Sequence, residues 1–207
     1  MLSPTHLLND FGALGVLLIL FAETGILLGI VLPGDSLLFT AGLLAATTKR
    51  GDVHLNLALV VAAAVVGAVL GAQVGYWIGR KLGPALFRRP DSRLFKKEYV
   101  DRTSAYLEKY GPAKAVFLAR FVPVVRTLMN PLVGVAEMDA KVFALSNLVG
   151  GVVWGAGVTI AGYYLGKTIP NVDHYLLPII ALVILLSLIP VFLEIRKARG
   201  EKRRRVA

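Results

Sequence analysis

Four charged residues lie where the sequence is otherwise apolar: Glu23 and Asp35 in one stretch, Arg120 and Arg126 in another. A guanidinium keeps its charge and presents a planar fork that fits phosphate oxygens. A partly buried carboxylate can have its pKa lifted toward neutrality and exchange a proton. An anion site beside a proton site is a coupled carrier, and two acids against two guanidiniums leave a cavity that is charged but neutral overall. Each such charge costs about 2.5–3.5 kcal/mol at a bilayer centre even on the lenient insertion scale, so a function is the default reading. The plainer reading is a set of buried ion pairs that hold two segments together.

The surrounding composition makes lipid the solvent. Of 207 residues, 56% are hydrophobic and 17% charged, against about 45–50% and 25% in soluble domains. That surplus exceeds what a globule of this length can hide, so an integral membrane protein is expected. Cysteine is absent, which excludes disulfides, thiolate metal sites and cysteine nucleophiles. His6, His54 and His174 sit near segment ends, apart from the acids and from one another, so no metal triad and no cofactor are expected. The net charge of +10 would suggest nucleic acid in a soluble protein; here it reports topology, and no nucleic-acid partner is expected. No Lys or Arg precedes Lys49, so the first apolar stretch lacks the basic flank of a secretory signal and reads as part of the fold.

Three stretches are long enough to cross: Leu55 to Gly79, Val142 to Gly166 and Tyr175 to Leu193. The first carries Gly67, Gly71, Gly75 and Gly79 on one helix face, a seam for close approach within one chain or between two copies in a homodimer. The stretches that hold the four charges are different. Gly12 to Ala46 is cut by Glu23 and by Pro33, Gly34 and Asp35; Ala115 to Ala136 is cut by Arg120, Pro123, Arg126, Asn130 and Pro131. Each reads as two short helices joined by a break. Asn130 and Pro131 either free backbone N–H groups to face an anion or, more simply, let Asn130 cap a break. Gln73, Tyr76, Asn147 and Tyr163 either line a path or tie helices together, the commoner use.

Ten of the Lys and Arg residues fall between Arg80 and Lys114, and seven follow from Arg196, so both regions are expected in the cytoplasm. The crossings between them are then even in number. Two plausible spans supply them, and the arginine segment must enter and leave on one face as a re-entrant hairpin. Residues 94–110 alternate Leu94, Phe95, Tyr99, Tyr106 and Leu107 with charge, as an amphipathic surface helix does.

The two halves follow one order. Phe11-Gly12 precedes a broken segment and a span ending at Gly75 to Arg80; Tyr110-Gly111 precedes another and a span ending at Gly162 to Lys167. One hairpin plus one crossing per unit turns the second copy upside down, the signature of alternating-access transporters with a midplane site. The expected fold is therefore an all-α polytopic membrane protein in one domain, 1–207. It comprises a first repeat at 10–79, a cytoplasmic loop at 80–110, an inverted second repeat at 111–167, an additional C-terminal crossing at 173–195 and a basic cytoplasmic tail at 196–207.

These motifs resemble the DedA family of membrane proteins, also called the SNARE-associated or VTT-domain family. Phe21 to Gly25 and Leu32-Pro33-Gly34-Asp35-Ser36 are similar to its first signature. Phe117-Leu-Ala-Arg120-Phe-Val-Pro123-Val-Val-Arg126, continuing through Asn130-Pro131 to Gly134, is similar to its second. The resemblance implies a bacterial inner-membrane protein with two opposed re-entrant hairpins, serving envelope integrity and stress tolerance. It also implies transport of polyprenyl-phosphate lipid carriers driven by the proton gradient, with lipid scrambling among eukaryotic relatives. The family's acidic and arginine pairs map onto Glu23, Asp35, Arg120 and Arg126. The expectation is then a flippase for a phosphate-bearing lipid such as undecaprenyl phosphate or a phospholipid, with Arg120 and Arg126 on the phosphate and Glu23 and Asp35 exchanging protons. A proton-coupled carrier of a small ionic solute and a non-transporting scaffold are the alternatives. A lipid-phosphate phosphatase is disfavoured, because no histidine stands near the arginines in sequence, and no enzymatic activity is expected.

Overall fold

A computed structural model describes residues 4–25, 34–46, 55–86 and 97–168. Seven helices and no strand occur among the described residues. Helix α1 (Pro4–Gly25) breaks at Gly12, whose φ of 55° suits glycine, so its continuous apolar part is Gly12–Gly25. Helix α2 is Gly34–Ala46. Helix α3 (Leu57–Leu86) follows Asn56, whose Oδ1 accepts the N–H groups of Ala58 at 2.9 Å and Leu59 at 3.2 Å, a side-chain cap. Helix α4 is Lys97–Tyr110. Gly111, with φ of 77°, turns the chain into α5 (Pro112–Ala119). After a short break, α6 (Pro123–Val135) starts with proline in its first turn, where no N–H is missed. Helix α7 (Ala140–Thr168) is capped by Asp139, whose Oδ1 accepts from Lys141 at 2.9 Å and Val142 at 3.0 Å. The Val142 N–H is the main reason the Asp139 carboxyl sits below its usual range.

Two helices have the length and apolar composition to cross a membrane, Leu57–Gly83 within α3 and Ala140–Thr168. They match the expected crossings within a few residues. Leu59, Val66, Leu70, Val74, Leu145, Leu148 and Val152 stand exposed along them, a surface suited to acyl chains rather than water. The 8 residues of α5 and the 13 of α6 reach only about 12 and 20 Å, well short of the roughly 30 Å hydrocarbon core. The same holds for α2. The expected C-terminal crossing at 173–195, the tail at 196–207 and Pro33 lie outside the described residues.

The short helices are exchanged between the halves. Helix α1 packs on α3 and α5 on α7, each on the long helix that follows it; α2 packs on α7 and α6 on α3, each on the long helix of the other half. Glycine makes these approaches possible. Gly67 and Gly71 lie against the backbone of Leu17 and Phe21 in α1, and Gly79 against the Pro131 carbonyl in α6. The seam of α3 is thus filled from within the chain. In α7, Gly150 meets Phe117 and Arg120, and Gly162 meets the Phe39 carbonyl.

Two apolar clusters result. One joins Val16, Leu20, Leu38, Ala41 and Ala64 to Trp154; the other joins Ala72, Tyr76, Val116, Val133 and Phe143, with Leu107 of α4 on its edge. Tyr76 stacks on Phe143 with ring centroids 4.6 Å apart and donates its hydroxyl to the Met138 carbonyl at 2.6 Å. One expectation is corrected. Helix α6 runs unbroken through Asn130 and Pro131, and the break in this half lies at Arg120 to Val122 instead. Asn130 reaches across to α1 and caps nothing.

Substituting Gly79 by Ala should lower stability by about 1–3 kcal/mol, because the new Cβ would collide with the Pro131 backbone. Gly157→Ala, where nothing lies within 4 Å of the new atom, should be neutral or slightly stabilising. Thermal denaturation in detergent checks the contrast.

Candidate functional site

The ends of the short helices bring the four charged residues close to one another. Glu23 lies near the end of α1 and Asp35 at the start of α2; Arg120 closes α5 and Arg126 lies in the first turns of α6. The two acids converge on the Arg126 guanidinium. Arg126 Nη2 donates to Glu23 Oε1, and Nη1 donates to Asp35 Oδ1 at 2.6 Å. Arg126 and Glu23 are 5% and 1% exposed, whereas Asp35 is 20% exposed, so one carboxylate is shut in and the other is partly exposed. The Arg126 fork also lies over the Trp154 ring, 4.3 Å from its centroid, a cation–π contact strengthened by burial. Gly34 is the residue that admits Glu23: a Cβ there would overlap the carboxylate.

Arg120 is held differently. Its Nη2 donates to Asn147 Oδ1 and to the Ala68 carbonyl at 3.2 Å. Asn147 in turn donates its Nδ2 to the Val69 carbonyl at 3.0 Å, so α3 and α7 are tied together beside the guanidinium. Arg120 is 5% exposed, and its Nη1 has no hydrogen-bond partner among the described residues. The Ala68 carbonyl also accepts from the Thr24 hydroxyl at 3.3 Å, and Asn130 donates to the Thr24 carbonyl at 3.1 Å. These neutral contacts lock the end of α1 between α3 and α6. The layer sits deep: at 1.5 Å per residue, Ala68 is roughly 17 and 22 Å from the ends of the crossing part of α3, and Trp154 is midway along α7.

The sequence-derived set divides accordingly. Glu23, Asp35 and Arg126 form one ion cluster, while Arg120 stands next to it on amide and carbonyl groups and not on an acid. Gly34 makes room for Glu23, Pro123 begins α6, Asn130 fixes α1, Pro131 supplies the carbonyl against Gly79, and Gly134 lets α6 approach the Tyr76 carbonyl. Asn147 serves the helix-tying role expected for it, with Arg120 as an added client. Trp154 and Thr24 were not singled out by sequence reasoning. A lone Trp in the middle of a glycine-rich crossing was the available signal for the first; a Thr beside Glu23 offered none.

The fold and this buried layer define a helical membrane protein with charged residues at the centre of its helix packing. A family model for the VTT domain matches residues 32–164. The chain is 41% identical over 179 residues to the protein DedA of Escherichia coli (strain K12), covering 86% of this chain and 79% of that one. It is 45% identical over 189 residues, 91% of this chain and 81% of the relative, to an uncharacterized membrane protein of Mycobacterium tuberculosis (strain ATCC 25618 / H37Rv). It is also 33% identical over 150 residues, 72% of this chain and 66% of the relative, to the inner membrane protein YqjA of Escherichia coli (strain K12). No solved structure matches it. The chain belongs to the DedA family of VTT-domain membrane proteins.

The ion cluster predicts strong coupling. Glu23→Gln and Arg126→Gln should each destabilise the protein, and the double variant should lose less than their sum by about 2–3 kcal/mol, because each single change strands a buried partner. A double-mutant cycle read by denaturation in detergent measures that term.

Proposed function

We propose that this protein is a proton-linked flippase for a phosphate-bearing lipid such as undecaprenyl phosphate or a phospholipid. The observation that carries the reading is a buried guanidinium shared by two carboxylates from the other half of the chain. Proton uptake by Glu23 or Asp35 weakens the hold on Arg126, and the freed fork joins Arg120 on the phosphate headgroup. Deprotonation returns Arg126 to the acids and releases the headgroup. The hydrocarbon tail stays in lipid along the exposed apolar faces, so only the headgroup needs a polar route. Protons and lipid are the partners, the bilayer is the surrounding phase, and no catalytic step is assigned.

Alternating access follows from an inverted repeat, and several equivalences support one. Gly12 and Gly111, both with positive φ, open the first helix of each hairpin. Gly67 and Gly150 receive the first hairpin helix of their own half; Gly79 and Gly162, and likewise Gly83 and Gly166, receive the second hairpin helix of the other half. On this reading Gly79 corresponds to Gly162, one helical turn from the match that the glycine and aromatic runs suggest. In this reading residues 80–110 and the C-terminal tail are cytoplasmic in the inner membrane, and the segment from α5 to α6 is re-entrant.

Reconstitution into liposomes tests the transport reading. A polyprenyl phosphate or phospholipid headgroup should change sides faster with the protein present, and faster still under an imposed pH gradient. Arg126→Ala should abolish this while the protein remains folded in the membrane; full activity of that variant would sink the reading. Arg120→Lys, which keeps charge and loses the bidentate fork, should fall at least tenfold, whereas a scaffold would tolerate it. Topology is tested separately, helped by the absence of native cysteine. Cysteines placed at Glu108 and Lys141 should both resist an impermeant maleimide in intact cells and react after permeabilisation; labelling at only Lys141 in intact cells would exclude the re-entrant path.

A further inference from the structure

The two arginines are not equivalent, and the difference rests on their partners. Arg126 spends both terminal nitrogens on carboxylates, so its charge is cancelled where it stands. Arg120 is equally buried, yet its partners among the described residues are an amide oxygen and a backbone carbonyl, and neither carries formal charge. Its Nη1 has no partner among the described residues. A buried cation in this condition favours an anion over any neutral ligand. Gly150 and Gly151 let α7 pack directly on this side chain: a Cβ would lie 3.0 Å from Arg120 Cδ at Gly150 and 3.5 Å from Nη1 at Gly151.

The surface next to Arg120 gives the shape of that anion. Leu118, near the end of α5, and Phe121 and Val122, in the break before α6, flank it in sequence and are 45%, 48% and 43% exposed. A buried unneutralised guanidinium within two residues of exposed apolar side chains suits an amphiphile with an anionic head and a hydrocarbon tail.

We infer that Arg120 and Asn147 form the entry subsite for the phosphate of a lipid monoester, with Asn147 the positioning residue that holds the guanidinium without neutralising it. This deepens the flippase reading and rests on it. The headgroup meets Arg120 first, while Arg126 is still held by Glu23 and Asp35. An aspartate at position 147 would supply the missing counter-charge and close the subsite, although the fold would keep a side chain of nearly the same size. A serine there keeps the site neutral and retains a hydroxyl acceptor.

The test is binding of dodecyl phosphate to the purified chain in phosphatidylcholine nanodiscs, with dodecanol as the neutral control and inorganic phosphate as the headless one. Wild type should bind dodecyl phosphate and not dodecanol. Asn147→Asp should weaken binding at least tenfold, and Asn147→Ser by no more than about threefold, with helicity and melting temperature checked for each. Arg120→Gln, read in parallel, should match the aspartate variant and keeps the test decisive if that variant does not fold. Equal loss in the serine and aspartate variants would reduce Asn147 to a packing role and overturn the inference, as would undiminished binding in the aspartate or the Arg120→Gln variant; either result leaves the flippase reading standing if wild type still binds. Absence of dodecyl phosphate binding by wild type would overturn both. Inorganic phosphate competing as strongly as the alkyl ester would keep the Arg120 anion subsite and overturn the lipid as its occupant.

Discussion

One guanidinium organises this structure. Arg126 reaches Glu23 and Asp35, which lie in the other half of the sequence; Arg126 and Glu23 are buried and Asp35 is partly so. Breaking such a cluster by removing one partner leaves a charge stranded in a low dielectric, at a cost of about 3–5 kcal/mol. The short-helix ends therefore have to be held together closely enough to exclude other partners. The glycines of α3 and α7 meet that demand by letting short helices sit against their backbones. Gly34 meets it locally, by leaving no side chain where the Glu23 carboxylate lies.

The charged layer also explains why the interior is divided. Apolar clusters lie on both sides of it along α3, one reaching Ala68 and the other beginning at Ala72. Between them, neutral hydrogen bonds from Thr24, Asn130 and Asn147 fix the helices that carry the ions. Packing thus sets the geometry, and charge gives the centre its chemistry.

Much of the architecture could be read from composition and spacing. The apolar length of residues 57–83 and 140–168 marks the crossings, because a bilayer of fixed thickness demands a fixed run of residues. The short segments around Glu23 and Arg126 were recognisable because proline, glycine and charge interrupt them. Local signals misled where tertiary contact outweighs them. Asn130-Pro131 looks like a break, yet α6 continues through it, since Asn130 is engaged with α1 and the Pro131 carbonyl is pressed on Gly79.

The sequence by itself determined that four ionisable groups must lie inside a membrane protein, in two interrupted segments, with signs that can cancel. Length, hydropathy and the cost of a lone charge in lipid are local properties of the chain, and they suffice for that. Only the tertiary structure decided which charge meets which. Both acids fall to Arg126 because α2 and α6 cross to opposite long helices and carry Asp35 and Arg126 inward, whereas Arg120 ends against α3 and α7, where amides and carbonyls are the available partners. Pairing depends on distances between segments about a hundred residues apart, and no local pattern encodes those.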